Sequence, residues 1–160
     1  MNIDHINPFI VGMTQALQQQ VGVTPHRSNL GLKQGNVPAH DVSVFVGVSG
    51  SAYGSVVLSF PRQTAVGVVK RMNAEQDISA DCLLESVCGL AEMAVEKARD
   101  LLAESGIKAF TSIPRVVMGS SHYIHTPREV PCVEIEFESE LGPFTLEVAL
   151  KVLNEAGVST

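Results

Sequence analysis

The residues best placed to do chemistry lie on one stripe between Leu83 and Leu102: Glu85, Gly89, Glu92, Glu96 and Arg99. Their three- and four-residue spacing sets all five on one face of a helix. Carboxylates presented together can act as bases toward water or pair with a cationic side chain on a partner. The complementary stripe, Leu84, Val87, Ala91, Val95, Ala98 and Leu102, is apolar and reads as the core face. Gly89 is the odd member of the polar stripe. A glycine inside a helix costs roughly 1 kcal/mol against alanine, and on a solvent face no core packing offsets that cost. It signals either close approach by another molecule or the loss of a side chain that once acted there. A solvated acidic face with a tolerated glycine is the plainer alternative.

Other groupings carry less. The run from Gly47 to Ser55 is rich in glycine. A phosphate cradle needs backbone N–H groups leading into a helix, with a lysine nearby, whereas these glycines lead into a strand. His122 and His125 are three apart in a segment that reads as extended, so they point to opposite faces and make a poor metal pair. Ser120, Ser121 and His122 form no triad, because sequence neighbours do not bring nucleophile and base into reach. His5, His26 and His40 are isolated. Glu134, Glu136 and Glu138 form a carboxylate row on one strand face. Catalytic acid pairs flank a cleft and come from separate elements, so the row reads as a solvated face, a charged edge or a surface against a second subunit.

The elements that position these residues follow from periodicity and punctuation. Asn7 caps a first helix with Pro8 at its first position and Phe9, Met13 and Leu17 on its inner face, ending at Gly22. A polar stretch from Thr24 to Asn36 holds at most a ragged strand. Val42, Val44, Val46 and Val48 alternate with Ser43, Phe45 and Gly47, and Gly50 to Gly54 turns the chain into a second strand, Ser55 to Phe60. Pro61 opens a helix to Met72 with Val66 and Val69 inward. The long helix is entered through Asp77 to Asp81 and stopped at Gly106. Pro114 to Met118, Cys132 to Glu138 and Phe144 to Leu153 read as strands, the last two joined by the turn at Leu141, Gly142 and Pro143. This order predicts an α+β fold: a mostly antiparallel sheet packed with a long central helix and two shorter ones, in a single domain over residues 1–160.

Composition narrows the function. The chain has 160 residues, 45% of them hydrophobic, which suits a domain with a real core. A net charge of −6, with no cluster of basic residues beyond the pair Lys70 and Arg71, argues against nucleic acid as the partner. No apolar run approaches the roughly 18 residues of a membrane span, and the N-terminus does not resemble a secretory signal. Cys82, Cys88 and Cys132 follow neither a metal nor a disulfide-framework spacing. The expected location is the cytoplasm.

Several short segments, in order, resemble the CheX branch of the CheC/CheX chemotaxis phosphatase family. They are Ile6-Asn7-Pro8-Phe9, Gly47 to Gly50 followed by Gly54 to Phe60, Leu90-Ala91-Glu92-Met93, Ser112-Ile113-Pro114 and Glu140 to Phe144. The resemblance implies a CheC/CheX-like fold and a partner that is a CheY-type response regulator, whose aspartyl phosphate such proteins hydrolyse. It also implies a homodimer paired through its sheets, for which Cys132 to Glu138 is the most plausible exposed strand. It implies no cofactor or metal of the chain's own, since Mg²⁺ is carried by the regulator. Active members bear a Glu-x-x-Asn signature on the long helix: the amide positions the attacking water and the glutamate pairs with a lysine of the regulator. Aligning Leu90-Ala91 and Met93 places the glutamate position at Gly89 and the asparagine position at Glu92, so both side chains differ here. Three expectations follow: regulator binding without efficient hydrolysis through Glu85, Gly89, Glu92 and Glu96; an active phosphatase using Glu92 and Glu85 as displaced catalytic groups; or a non-catalytic assembly module.

Overall fold

In the computed structural model of the chain, residues 3–33, 39–73, 78–119 and 130–153 are described. They form α1 (Ile3–Val21), β1 (His26–Leu32), β2 (Val42–Gly50), β3 (Ala52–Phe60), α2 (Arg62–Met72), α3 (Ala80–Glu104), β4 (Ala109–Thr111), β5 (Arg115–Met118), β6 (Cys132–Glu138) and β7 (Phe144–Val152). Seven antiparallel strands make one sheet in the order β1-β6-β7-β3-β2-β4, with β5 also paired to β2. The α+β architecture with a long central helix is therefore the one the periodicities predict.

Alternation sets the sheet's two faces. Val44, Val46, Val56, Leu58, Ile135, Phe137, Leu146 and Val148 are buried on the face that carries the helices. Phe144 anchors this layer, stacked on Phe137 at 4.9 Å between ring centroids and tilted against Phe60 at 5.4 Å. Helices α1 and α3 cross closely, because α1 offers Gly12 and Ala16 where α3 offers Ala94 and Ala98. A Cβ on Gly12 would land on the carbonyl oxygen of Ala94, far inside van der Waals contact. Ser79 caps α3, its side chain accepting from the Cys82 N–H at 3.1 Å, and Gly106 follows its end with φ +82°.

Several expectations are corrected. The first helix starts at Ile3, not at Asn7, and Pro8 sits inside it. Pro8, the sixth residue of α1, removes the N–H that would bond the Asp4 carbonyl and crowds that carbonyl, a cost that burial of Ile6, Pro8 and Phe9 against the core offsets. In α2 the inward residues are Ala65, Val68 and Val69 rather than Val66. In α3 Leu83, not Leu84, begins the buried stripe, which also takes in Leu90 and Ala94. Strand β3 begins at Ala52, so the turn after β2 is tighter than a Gly50–Gly54 loop. Gly50, at φ +100°, starts that turn in a conformation other residues rarely adopt.

Strand β4 has no counterpart in the sequence reading. Cys132–Glu138 is not an exposed strand: β6 lies between β1 and β7, paired to both. It is β1, exposed along all seven residues, that forms one edge of the sheet. Asp77, Ser120, Ser121, His122 and His125 lie outside the described residues.

Candidate functional site

The apolar side of α3 is buried against α1 and the sheet, which leaves its opposite side on the surface. Glu85, Glu92 and Glu96 are exposed there, and Gly89 sits between them half-buried. The helix thus brings all four predicted site residues onto one accessible face. Among the described residues nothing lies within 4 Å of where a Cβ of Gly89 would be, so none of them requires glycine at that position. The space is open toward solvent or a partner. One residue earlier, burial, reinforced by Glu92, pushes the Cys88 thiol above its usual range, so it is not poised as a thiolate nucleophile.

A hollow of about 290 Å³ runs beside this face, between α3 and the turn linking β4 to β5. Glu92, Glu96 and Arg99 line one wall, and Thr111, Ser112 and Ile113 the other. Arg99 Nη1 donates to Thr111 Oγ1 at 3.2 Å, tying the helix to β4. Ser112 Oγ accepts from the Gly47 N–H at 2.8 Å and donates to the Ile113 carbonyl at 3.3 Å. This hydroxyl fixes the turn and holds Ile113 outward, 85% exposed. In the sequence Ser112 and Ile113 stand out only through the family resemblance, and Pro114 reads as the start of a strand. The signal that could have flagged Ile113 is an isoleucine followed by proline outside any periodic segment.

A second polar cluster lies on the sheet's other face. Lys33 Nζ is 3.3 Å from both Glu134 Oε2 and Glu147 Oε1. Glu134 and Glu147 are direct register partners across β6 and β7, so without the lysine two carboxylates would face each other. Glu147 is buried, and its Oε2 has no hydrogen-bond partner among the described residues. Burial, partly opposed by Lys33, pushes its carboxyl up to about 6. Cys132 alongside is pushed up to about 12 by burial and then by Glu147. His40 donates its backbone N–H to Ser59 Oγ at 2.9 Å, its ring Nε2 lies 3.1 Å from Thr145 Oγ1, and burial holds its pKa below the usual histidine value. The predicted carboxylate row therefore divides: Glu136 and Glu138 are solvated, while Glu134 is half of an ion pair. Among the described residues no group of three His, Cys, Asp or Glu side chains could hold a metal ion.

The family model for the chemotaxis phosphatase CheX matches residues 42–138. The chemotaxis protein CheX of Desulfovibrio desulfuricans is 31% identical, with a TM-score of 0.85 over 91% of this chain and 98% of that one. The chain belongs to the CheX family. A CheC-like superfamily protein from a Shewanella species is similar across 94% of this chain and 99% of its own, at 25% identity and a TM-score of 0.85. The CheX of Borrelia burgdorferi, solved in complex with CheY, BeF₃ and Mg²⁺, shares the fold at a TM-score of 0.79 and 20% identity, over 93% of this chain and 99% of that one. No curated protein matches the chain. Gly89 and Glu92, the two positions singled out on the long helix, both stand on the open face of α3.

Proposed function

We propose that this chain docks a CheY-type response regulator in the cytoplasm through the exposed face of α3, and that it hydrolyses the regulator's aspartyl phosphate weakly or not at all. The observation that carries this reading is the pairing of an open, side-chain-free position at Gly89 with an exposed carboxylate at Glu92. Docking is supported by the Borrelia relative, a CheX solved in complex with CheY.

The loss of chemistry follows from the groups themselves. Phosphoryl transfer is mostly positioning and charge stabilisation. An asparagine amide can donate to one oxygen and accept from water, whereas an ionised carboxylate only accepts. Two unit charges about 4 Å apart cost roughly 4 kcal/mol at an effective dielectric near 20. Glu92 facing a phosphoryl group would therefore lower the rate on the order of a thousandfold. Gly89 presents nothing to a lysine of the regulator, and Glu85 stands one turn away on the same face.

The decay of the phosphorylated CheY-type regulators of the same organism, with Mg²⁺, tests this directly. Wild-type protein is expected to leave decay nearly unchanged, and the Gly89→Glu, Glu92→Asn double variant to accelerate it. The open space at Gly89 lets the longer side chain enter without disturbing the fold. No acceleration by the double variant, together with no binding, would favour an assembly module. Fast decay with wild type, abolished by Glu92→Gln, would establish the displaced constellation of Glu92 and Glu85, which is favoured by their exposure on one face. We infer further that the chain pairs with a second copy through its sheet, with β1 rather than β6 as the available edge.

A further inference from the structure

The hollow between α3 and the β4–β5 turn extends from Glu92 past Glu96 and Arg99 to a second wall away from the signature positions. Its two walls differ in kind. On the helix side Glu92 and Glu96 are exposed, and among the described residues neither has a cationic partner within ion-pair distance. Arg99, which lines the same hollow, directs Nη1 to Thr111 Oγ1 rather than pairing with either carboxylate. On the turn side Ile113 projects into solvent at 85% exposure, the most exposed large hydrophobic residue among those described. An isoleucine held out by a hydrogen-bonded turn forfeits apolar burial of about 2 kcal/mol in the free protein. Ser112 nonetheless holds the turn from both sides, through Gly47 and through the Ile113 carbonyl. Val46 and Val95 line the hollow between the walls. Such a site suits a cationic side chain set beside an apolar one: charge complementarity gives specificity, and a packed, desolvated anchor carries much of an interface's binding energy.

We propose that this hollow is the specificity seat for the regulator, taking a lysine or arginine of the regulator against Glu96 while Ile113 packs on an apolar side chain next to it. The inference rests on the docking reading above, because Glu92 belongs to both surfaces. It adds the second wall, which stands on a separate element and depends on no signature residue. Its consequence is that partner choice is set by the β4–β5 turn, so a chain that has lost the signature can still select its regulator.

The test is titration of the regulator, activated with beryllofluoride and Mg²⁺, into the full chain by calorimetry at low and at physiological salt. Ile113→Ser changes a side chain outside the core, so folding is not at stake. It is expected to weaken binding by roughly tenfold at both salt concentrations, as loss of an apolar anchor should. Glu96→Gln is expected to weaken binding by roughly fivefold at low salt and to flatten its salt dependence, as loss of a charge pair should. If both variants bind like wild type while Glu85→Lys abolishes binding, the regulator lands elsewhere on α3; the seat is then overturned and the docking reading stands. If wild type itself does not bind, both fall together.

Discussion

At the scale of single residues, Glu147 shows how far an identical side chain can be moved by its surroundings. It alternates along β7 as an outward residue should, yet it is 2% exposed and shares Lys33 with Glu134. Its carboxyl is raised from an ordinary 4.5 to about 6, with burial as the leading cause. The folded state therefore favours the protonated form. That contribution is complete below the unfolded value and is lost as pH rises through about 6, a difference of about 2 kcal/mol. His40, held below its ordinary value by burial, acts in the opposite sense: it favours the fold above about 6.5 and loses that contribution as pH falls. Comparing wild type with Glu147→Gln cancels the histidine, which both proteins keep. From about pH 7.5 to about pH 4.5, wild type should gain most of that ~2 kcal/mol relative to the variant in urea titrations. A stability difference that does not move with pH would show Glu147 to be solvated.

At the scale of elements, two glycines in helices carry the same sequence signature and opposite structural meaning. Gly12 faces the Ala94 carbonyl at the α1–α3 crossing, while Gly89 faces nothing within 4 Å among the described residues. Helix propensity alone predicts that alanine at either site adds stability. Packing reverses the sign at Gly12, because a methyl group there must push two helices apart, a change that typically costs 1–3 kcal/mol. We therefore expect Gly12→Ala to lower the urea midpoint and Gly89→Ala to raise stability by about 0.5–1 kcal/mol. A stabilised Gly12→Ala would mean that the crossing has slack. The same contrast supports the functional reading, since a glycine that helix packing does not require stands where a partner would reach the chain.

At the scale of the whole molecule, the sheet's edges decide how copies can meet. Its β1 edge is exposed throughout, with Leu30 and Leu32 at 37% and 66% exposure, and at the other end β4 and β5 share β2. An exposed edge strand of seven residues is a template for pairing. The proposed dimer through β1 predicts twice the chain mass by light scattering at micromolar concentration. It also predicts that Leu30→Lys, placing like charges at the pair, returns the protein to a monomer without loss of secondary structure. Monomeric wild type at that concentration would remove the dimer.

What the sequence by itself determined was whatever local periodicity and punctuation specify. The bounds of Cys132–Glu138, the long helix with Glu85, Gly89, Glu92 and Glu96 along one outer face, and the α+β layering were all legible there, because a half-buried strand or helix must write its inner face into its own residues. The family resemblance was legible for the same reason, carried by short segments with fixed spacing. Pairing partners are not written locally. Whether β6 is an edge or an interior strand depends on β1, about a hundred residues away, and β4 exists because Phe110 and its neighbours find β2. Likewise, Ile113 becomes a wall of the hollow only when Ser112 meets Gly47 and Arg99 meets Thr111. Glu147 finds its cation only because Lys33 arrives across the sheet. Those contacts join residues far apart in the chain, and only the closed tertiary structure brings them within range.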